Sequence, residues 1–295
     1  FNVPLPPSTG VTSIRKNIGE MDNRGIEFRL MYDVITNNTF RWNIDFNITH
    51  LTNEITKMPE ETPEIISGTR KLMVGRSMYE YFLRQTSRID PETGEQFYFY
   101  DVLDDNGDVI AQRDTNVVAQ ATRYYVGKTA IPDFWGGITN NFVFGPVDLA
   151  ILTTYSMGGY MYDGIYGSLI SGRLWANDYG NHYHKDALNR WVQPGDNTGQ
   201  ARLEGGNADL YGGTLEDNLM DLSYFALKNV TLGYNLPASL MNRVGVSNLR
   251  LFVSGDNLFI SNKNKGMDPQ QTFDGSTSYS YIPVRTITFG LNLQF

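Results

Sequence analysis

The sequence has no cysteine, which excludes a disulfide scaffold, thiol catalysis and cysteine-ligated zinc. Histidine is nearly as scarce, with 3 residues in 295, so few nitrogen ligands are available to a metal. Basic residues are outnumbered, 24 Lys and Arg against 32 Asp and Glu, for a formal net charge of −8. Without a basic cluster the chain is not a nucleic-acid binder, because such proteins need Lys and Arg to displace counterions from phosphates. No apolar run reaches about 18 residues, so no transmembrane helix is encoded. The opening FNVPLPPSTG carries no initiator Met, basic segment or apolar export signal. It reads as loop, and the chain either as a processed protein or as the later part of a longer polypeptide.

What is present is 41% hydrophobic residues, too many for a disordered chain, with 18 Tyr, 16 Phe and 29 Gly. The length allows one large all-β unit or two ordinary domains. Alternation with a period of two is the strongest local pattern, and it places successive side chains on opposite faces of a strand. Ile287, Phe289, Leu291, Leu293 and Phe295 alternate with Thr286, Thr288, Gly290, Asn292 and Gln294. Phe40, Trp42, Ile44, Phe46 and Ile48 alternate with Arg41, Asn43, Asp45 and Asn47, and Ile26, Phe28, Leu30, Tyr32 and Val34 do the same against Glu27, Arg29, Met31 and Asp33. Weaker strands are expected at Tyr79–Arg84, Gln96–Val102, Gly136–Phe144, Val147–Tyr160, Tyr224–Leu236 and Leu249–Ile260. Within Tyr224–Leu236 the phase slips near Lys228, as at a bulge.

The connections alternate in length. Short turns are expected at Thr36–Thr39, Pro91–Gly94 and Gly145–Pro146, and one or two helical turns within Pro237–Gly245. Between them lie long connections at roughly 51–77, 103–134, 161–222 and 261–281. Soluble domains rarely carry irregular loops longer than about 12–15 residues. Outer-membrane barrels do, with short periplasmic turns and long external loops. The pattern predicts an all-β fold: about nine antiparallel strands of a transmembrane β-barrel, with 1–23 as external loop and 24–295 as barrel wall. An odd number of strands leaves open edges that lipid does not tolerate, so upstream polypeptide is expected to close the wall. Phe40, Trp42, Phe142, Phe144 and Tyr234 lie near short turns, and Tyr155, Tyr160, Tyr162, Phe259, Tyr279 and Tyr281 near long loops, as two interfacial girdles would.

Three polar constellations deserve weighing as chemistry. His182 and His184, with Asp178 and Asp186 nearby, lack a defined third metal ligand and read as solvated loop. Asp104-Asp105-Asn106-Gly107-Asp108 lacks the spacing and closing Glu of a calcium loop and reads as a hairpin tip. The carboxylates of Asp90-Pro91-Glu92-Thr93-Gly94-Glu95 read as a turn. No nucleophile motif occurs, so neither a catalytic site nor a cofactor or metal site is expected. The connection 161–222 carries Trp175, Tyr179, Tyr183, Trp191 and Tyr211 among Gly, Asn and Asp. Aromatic faces beside amides and carboxylates suit stacking on sugars or packing on peptides; packing of the loop on itself or against a partner protein is at least as open.

Several segments also resemble, in order, those of the SusC/RagA-like TonB-dependent transporters of Bacteroidetes outer membranes. Asn23-Arg24-Gly25-Ile26-Glu27-Phe28 is similar to an "NRGxE" strand start, and Gly127 to Asp133 to "GxTxPD". Arg190-Trp191 with Pro194-Gly195-Asp196 resembles "RWxxPGD", and Ser223 to Pro237 resembles "SYxxLKNxTLGYxLP". Ser254-Gly255-Asp256-Asn257-Leu258-Phe259 is similar to "SGxNLF", Asp268-Pro269 to a last-loop "DP", and Thr288 to Phe295 to the family's ending. The resemblance implies roughly the last nine strands of a plugged barrel of about 22 strands, with the plug and the TonB-contacting segment upstream. It further implies nutrient import in a Gram-negative outer membrane, with TonB, a SusD-like lipoprotein lid and an oligosaccharide or oligopeptide cargo as partners. Phe289, Leu291, Leu293 and Phe295 then fit the outer-membrane assembly signal, read as an added strand. A soluble surface carbohydrate-binding β-protein and a passive porin are the alternatives.

Overall fold

The computed structural model describes residues 2–4, 8, 10, 12–15, 19–171, 173–174, 183–205, 213–241, 246–263, 268–270, 274–277 and 281–294. A short ribbon of β1 (Asn2–Pro4) and β2 (Ser13–Arg15) precedes two long strands, β3 (Glu20–Thr36) and β4 (Phe40–Lys57). Seven short strands follow: β5 (Glu64–Ser67), β6 (Arg70–Met73), β7 (Glu80–Arg84), β8 (Thr86–Ile89), β9 (Gln96–Leu103), β10 (Val109–Thr115) and β11 (Arg123–Thr129). Next come β12 (Phe134–Phe144) and β13 (Val147–Met157), then β14 (Tyr160–Tyr162), helix α1 (Gly164–Ile170), β15 (Arg173–Leu174), β16 (Glu204–Gly205) and β17 (Leu219–Asp221). The chain closes with β18 (Tyr224–Asn235), the short helix α2 (Ala238–Met241), β19 (Asn248–Asn262) and β20 (Thr286–Gln294).

The long strands form one antiparallel sheet of seven, in the order β20-β19-β18-β13-β12-β4-β3. All-β architecture, antiparallel pairing and the rotation of short turns with long connections are as the sequence predicts. The number of strands in the wall is not nine. Tyr79–Arg84 and Gln96–Val102 do form strands, but β7 and β9 belong to two smaller sheets, β11-β7-β6-β5 and β10-β9-β8. At 5 and 8 residues, they reach only about 17 and 26 Å at ~3.3 Å per residue. Their alternation serves two small local cores, one burying Tyr81 and Leu83 and the other Tyr98. The Pro91–Gly94 turn thus lies inside a single long connection, 58–133, and β4 extends to Lys57 through the first part of the expected loop at 51–77.

Short turns are built as their residues require. Gly145 sits at φ +55 ahead of Pro146, the type II′ combination that suits a two-residue hairpin between Phe144 and Val147. At the β3–β4 turn, Asn37 Oδ1 accepts from the backbone N–H groups of Thr39 (3.0 Å) and Phe40 (2.7 Å). Helix α2 supplies the helical turn expected after Pro237; residues 242–245 lie outside the described residues.

Register gathers most apolar residues of the sheet on one side; Leu51, Trp135 and Tyr224, at the long-connection end, lie on the other. A single cross-strand row reads Phe289, Val253, Leu232, Leu149, Phe142, Trp42 and Ile35, one residue from each strand. The next row, on the opposite face, reads Thr288, Ser254, Thr231, Ala150, Asn141, Asn43 and Asp33. Two bulges keep this separation. Lys228 is the extra residue between Leu227 and Asn229, which brings Phe225 and Leu227 to the same face as Val230, Leu232 and Tyr234 despite the phase slip. Val34 is the extra residue in β3, so Ile35, not Val34, continues the apolar run.

No second layer covers the apolar face among the described residues. Phe289 is 80% exposed, Ile26 72% and Leu291 62%. Phe46 is half-buried only by neighbours on its own face, with ring centroids 6.5 Å from Phe28 and 6.4 Å from Tyr155. Near the short turns Phe142 stacks on both Phe40 (6.4 Å) and Trp42 (5.7 Å), and the Trp42 indole donates to Asn140 Oδ1 at 3.1 Å. At the other end Tyr155 and Phe259 lie on this face. Tyr160 and Tyr162 do not: they pack on the Tyr81–Leu83–Ala130 cluster. Tyr279 and Phe295 lie outside the described residues.

The polar face is held by ion pairs and amide networks. Arg29 forms a two-bond pair with Asp45 (2.9 and 2.6 Å), and Arg250 another with Asp148 (3.1 and 2.5 Å). Asn229 Nδ2 donates to Ser254 Oγ (2.9 Å) and Asp256 Oδ1 (2.7 Å).

Candidate functional site

The three long connections dock on one another at one end of the sheet. From the first come Tyr81, Leu83 and Ala130, which form a buried cluster against Tyr160, Tyr162 and Leu219 of the second. The third, 263–285, is tied to both through Gly275, whose carbonyl accepts from the Tyr81 hydroxyl (2.6 Å) and from the Tyr162 N–H (2.8 Å). Burial pushes the Tyr81 hydroxyl above its ordinary pKa, so it stays a neutral donor. Asp163 caps α1 by accepting from the Tyr166 N–H (2.8 Å), and the same oxygen accepts from Thr277 Oγ1 (3.2 Å). Arg70 also donates to the Asp274 carbonyl.

Beneath this junction lies a cavity of about 210 Å³. Its floor is the polar face of the sheet near the long-connection end, where Leu51, Trp135, Ser156 and Tyr224 line it. Ala130, Ile131 and Pro132 contribute from the first connection, Leu222 from the second, and Pro269 and Gln270 from the third. The lining is mainly apolar, with the hydroxyls of Ser156 and Tyr224 and the Gln270 amide as polar groups. Such a recess suits an apolar side chain or the apolar face of a sugar ring, oriented by a few hydrogen bonds.

Charge contacts brace the connections around it. Lys128 Nζ stands 2.8 Å from Glu216 Oε1, while the Gln85 amide donates to Glu216 Oε2 at 2.6 Å. Burial raises the Glu216 pKa, but these two hydrogen bonds outweigh it and hold the carboxyl below its ordinary value. Asp221 is likewise held low: burial opposes ionisation and is outweighed by bonds from Lys263 and Ser223.

Of the five aromatic residues expected to bind cargo or a partner, Trp175, Tyr179 and Tyr211 lie outside the described residues. Trp191 packs between connections: its indole N–H donates to the Pro91 carbonyl at 2.8 Å and its ring lies against Gly94. Tyr183 is 43% exposed, with the Arg190 guanidinium 5.4 Å from its ring centroid. Neither lines the cavity. The Asp90–Glu95 carboxylates form a turn as expected, with Asp90 Oδ1 accepting from Glu92 N–H at 2.9 Å, and Asp104 to Asp108 form the β9–β10 hairpin tip. His184 Nδ1 accepts from the Asp186 N–H at 3.2 Å, a local cap; His182 and Asp178 lie outside the described residues. Sequence reasoning missed Tyr81, Trp135 and Gln270. Only Tyr81 carried a local signal, its place in the Tyr79–Leu83 alternation.

No family model matches the chain. Over its whole length it is 29% identical to the TonB-dependent receptor P3 of Formosa agariphila and 24% identical to the TonB-dependent receptor SusC of Bacteroides thetaiotaomicron, covering 31% and 28% of those proteins. In fold it matches 99% of its length to a chain in the structure of the RagAB peptide importer in its closed-closed state, with a TM-score of 0.83 at 22% identity, covering 32% of that chain. A chain in the structure of the RagAB peptide transporter gives 0.81 at the same identity. From end to end the sequence is thus similar to TonB-dependent receptors, SusC among them, and the fold is similar to a chain of RagAB; the chain spans less than a third of the length of these relatives.

Proposed function

We propose that this chain is the later part of a plugged outer-membrane barrel in a Gram-negative bacterium, with residues 1–23 external and 24–295 forming wall and external loops. The barrel imports a nutrient, an oligosaccharide or an oligopeptide, using energy delivered through TonB and a SusD-like lipoprotein lid over its mouth. The observation that carries this reading is the seven-strand row from Phe289 to Ile35, apolar and uncovered, backed by a hydrogen-bonded polar row. Hydrocarbon is the medium in which such a face is stable, and a wet interior suits the other. A soluble sugar-binding protein would expose to water a far larger apolar patch than soluble monomers tolerate.

The rest follows from this orientation. Short turns lie in the periplasm, and the docked connections lie outside around the cavity. Seven strands leave two open edges, which upstream strands of the same polypeptide would close. Phe289, Leu291, Leu293 and Phe295 act as the assembly signal. The second long connection, whose sequence carries Trp175, Tyr179, Tyr183, Trp191 and Tyr211, would be the one to meet cargo or lid.

The test is uptake of labelled oligosaccharides and oligopeptides by cells producing the full-length protein, with and without TonB. Import should be lost without TonB. Undiminished, non-saturating entry in TonB-deficient cells would establish a passive porin instead.

A further inference from the structure

The small sheet of the first connection has two different faces. One buries Tyr81 and Leu83; the other carries Glu80, Phe82 and Arg84 of β7 beside Arg123 and Tyr125 of β11. Cations gather on this second face. Lys71 lies 5.3 Å from the Phe82 ring centroid and pairs with Glu64; Arg76 lies 4.4 Å from the Tyr125 ring centroid and 3.3 Å from Glu80. Each of these two has its carboxylate.

Arg84 and Arg123 do not. They are direct cross-strand partners, and neither forms an ion pair among the described residues. Arg123 uses Nη2 for Thr214 Oγ1 (2.5 Å) and for the Gly68 carbonyl, and its Nε is buried with nothing to donate to. Arg84 donates no side-chain hydrogen bond among the described residues, and its Nε is also buried and unmatched. Both side chains are half-buried, reachable from solvent yet partly stripped of it. Like charges directly opposite on adjacent strands destabilise a sheet, and unpaired buried donors add a further cost. Burial and the neighbouring charge of Arg84 together hold the Arg123 pKa down. A fold with net charge −8 that keeps two guanidiniums side by side, with no carboxylate paired to either among the described residues, has left a place for an anion from elsewhere.

We propose that Arg84 and Arg123 form a binding site for an oxyanion, a carboxylate or sulfate group carried by the imported cargo. Guanidinium forks match such groups with paired, charge-assisted hydrogen bonds, and Phe82 beside the pair offers a flat surface to the atoms bearing the charge. Only the word cargo rests on the import reading; anion binding is measurable without it.

The experiment uses the full-length protein in detergent. Thermal unfolding of the wild type and of Arg84→Gln is followed in acetate, sulfate and chloride at matched ionic strength. Acetate or sulfate should raise the wild-type midpoint by about 2–5 °C relative to chloride and leave R84Q unmoved. In chloride R84Q should be at least as stable as the wild type, since a repulsion is gone. Arg84→Met serves if R84Q does not assemble. The source is resolved by titrating peptides with free or amidated C-termini, and acidic, sulfated or neutral oligosaccharides. The anion-bearing member of the true class should bind R84Q at least tenfold more weakly than the wild type. Equal anion shifts in wild type and variant, or none in the wild type, overturn the site. Failure of TonB-dependent uptake in wild type and variant alike would overturn the import reading, while the anion shifts and titrations would still decide the site.

Discussion

Arg250 grips Asp148 two strands away, and its guanidinium lies across the backbone of Gly233 on the strand between. A Cβ at position 233 would collide with Arg250 Nη2 and Asp148 Oδ1. The glycine in Thr231-Leu232-Gly233-Tyr234 is therefore needed for close approach on the polar face. Gly233→Ala should displace the guanidinium and cost about 1–3 kcal/mol, as overpacking does. In an Arg250→Ala background the same substitution should cost much less. Heat-dependent gel mobility of the wild type, the two single variants and the double variant reads this coupling. Equal cost in both backgrounds would show that the glycine matters for another reason.

Lys228 has a different kind of role, because its backbone matters more than its side chain. As the extra residue of β18 it sets which face Phe225 and Leu227 occupy, while its Nζ donates to Asn257 Oδ1 at 3.0 Å. Asn257 itself stands at φ +51, where β19 accommodates the bulge. Deleting Lys228 should send one end of β18 to the wrong face and abolish assembly. Lys228→Ala should still assemble, losing only one partly exposed hydrogen bond of about 1 kcal/mol. Membrane fractionation of the two variants separates register from side chain.

These two cases show what a sequence displays and what it hides. The runs at Phe40–Ile48 and Ile287–Leu293 are legible because alternation is a local property of the chain. The same property misleads at Tyr79–Leu83 and Phe97–Phe99, since a strand half-buried in a small loop sheet alternates just as a wall strand does. Strand length was the remaining discriminator. The cavity was not legible, because Trp135, Leu222 and Pro269 converge only once three connections have docked. Nor was the opposition of Arg84 and Arg123, which depends on the register of strands separated by a hairpin sheet. Trp191 was visible as an exposed-loop aromatic, yet its hydrogen bond to Pro91 spans 100 positions.

Acid should loosen the docked connections. Glu216 and Asp221 both have folded pKa values below their ordinary ones. A carboxyl of that kind contributes stability that is fully present above its unfolded pKa, roughly 4, and is lost as pH falls through the lower folded value. Contacts of Glu216 with Lys128 and Gln85, and of Asp221 with Lys263, should therefore hold at pH 7 and weaken below about pH 4. Hydrogen exchange in 213–223 should accelerate relative to the wall strands as the pH is lowered through that range, after correction for intrinsic rates. Glu216→Gln should show a smaller change between the two pH values. If exchange in this segment is independent of pH, the ion pairs are not what holds it.

The two faces of β20 provide the sharpest test of which medium each meets. Phe289 is 80% exposed on the apolar side, and Thr288, the residue before it, points to the other. Charge in hydrocarbon near the bilayer midplane costs a barrel about 2–4 kcal/mol for Arg, whereas a wet interior accommodates the same side chain at little cost. Phe289→Arg should thus lower folding stability in lipid vesicles by that amount, and Thr288→Arg, opposite the uncharged Ser254, by well under 1 kcal/mol. In a soluble protein with a water-exposed sheet the order reverses, because replacing an exposed Phe with Arg would improve solubility and cost nothing. Stability of the full-length protein refolded into vesicles, measured for both variants, decides between these outcomes. Equal tolerance at 289 and 288 would mean that the apolar row does not face lipid.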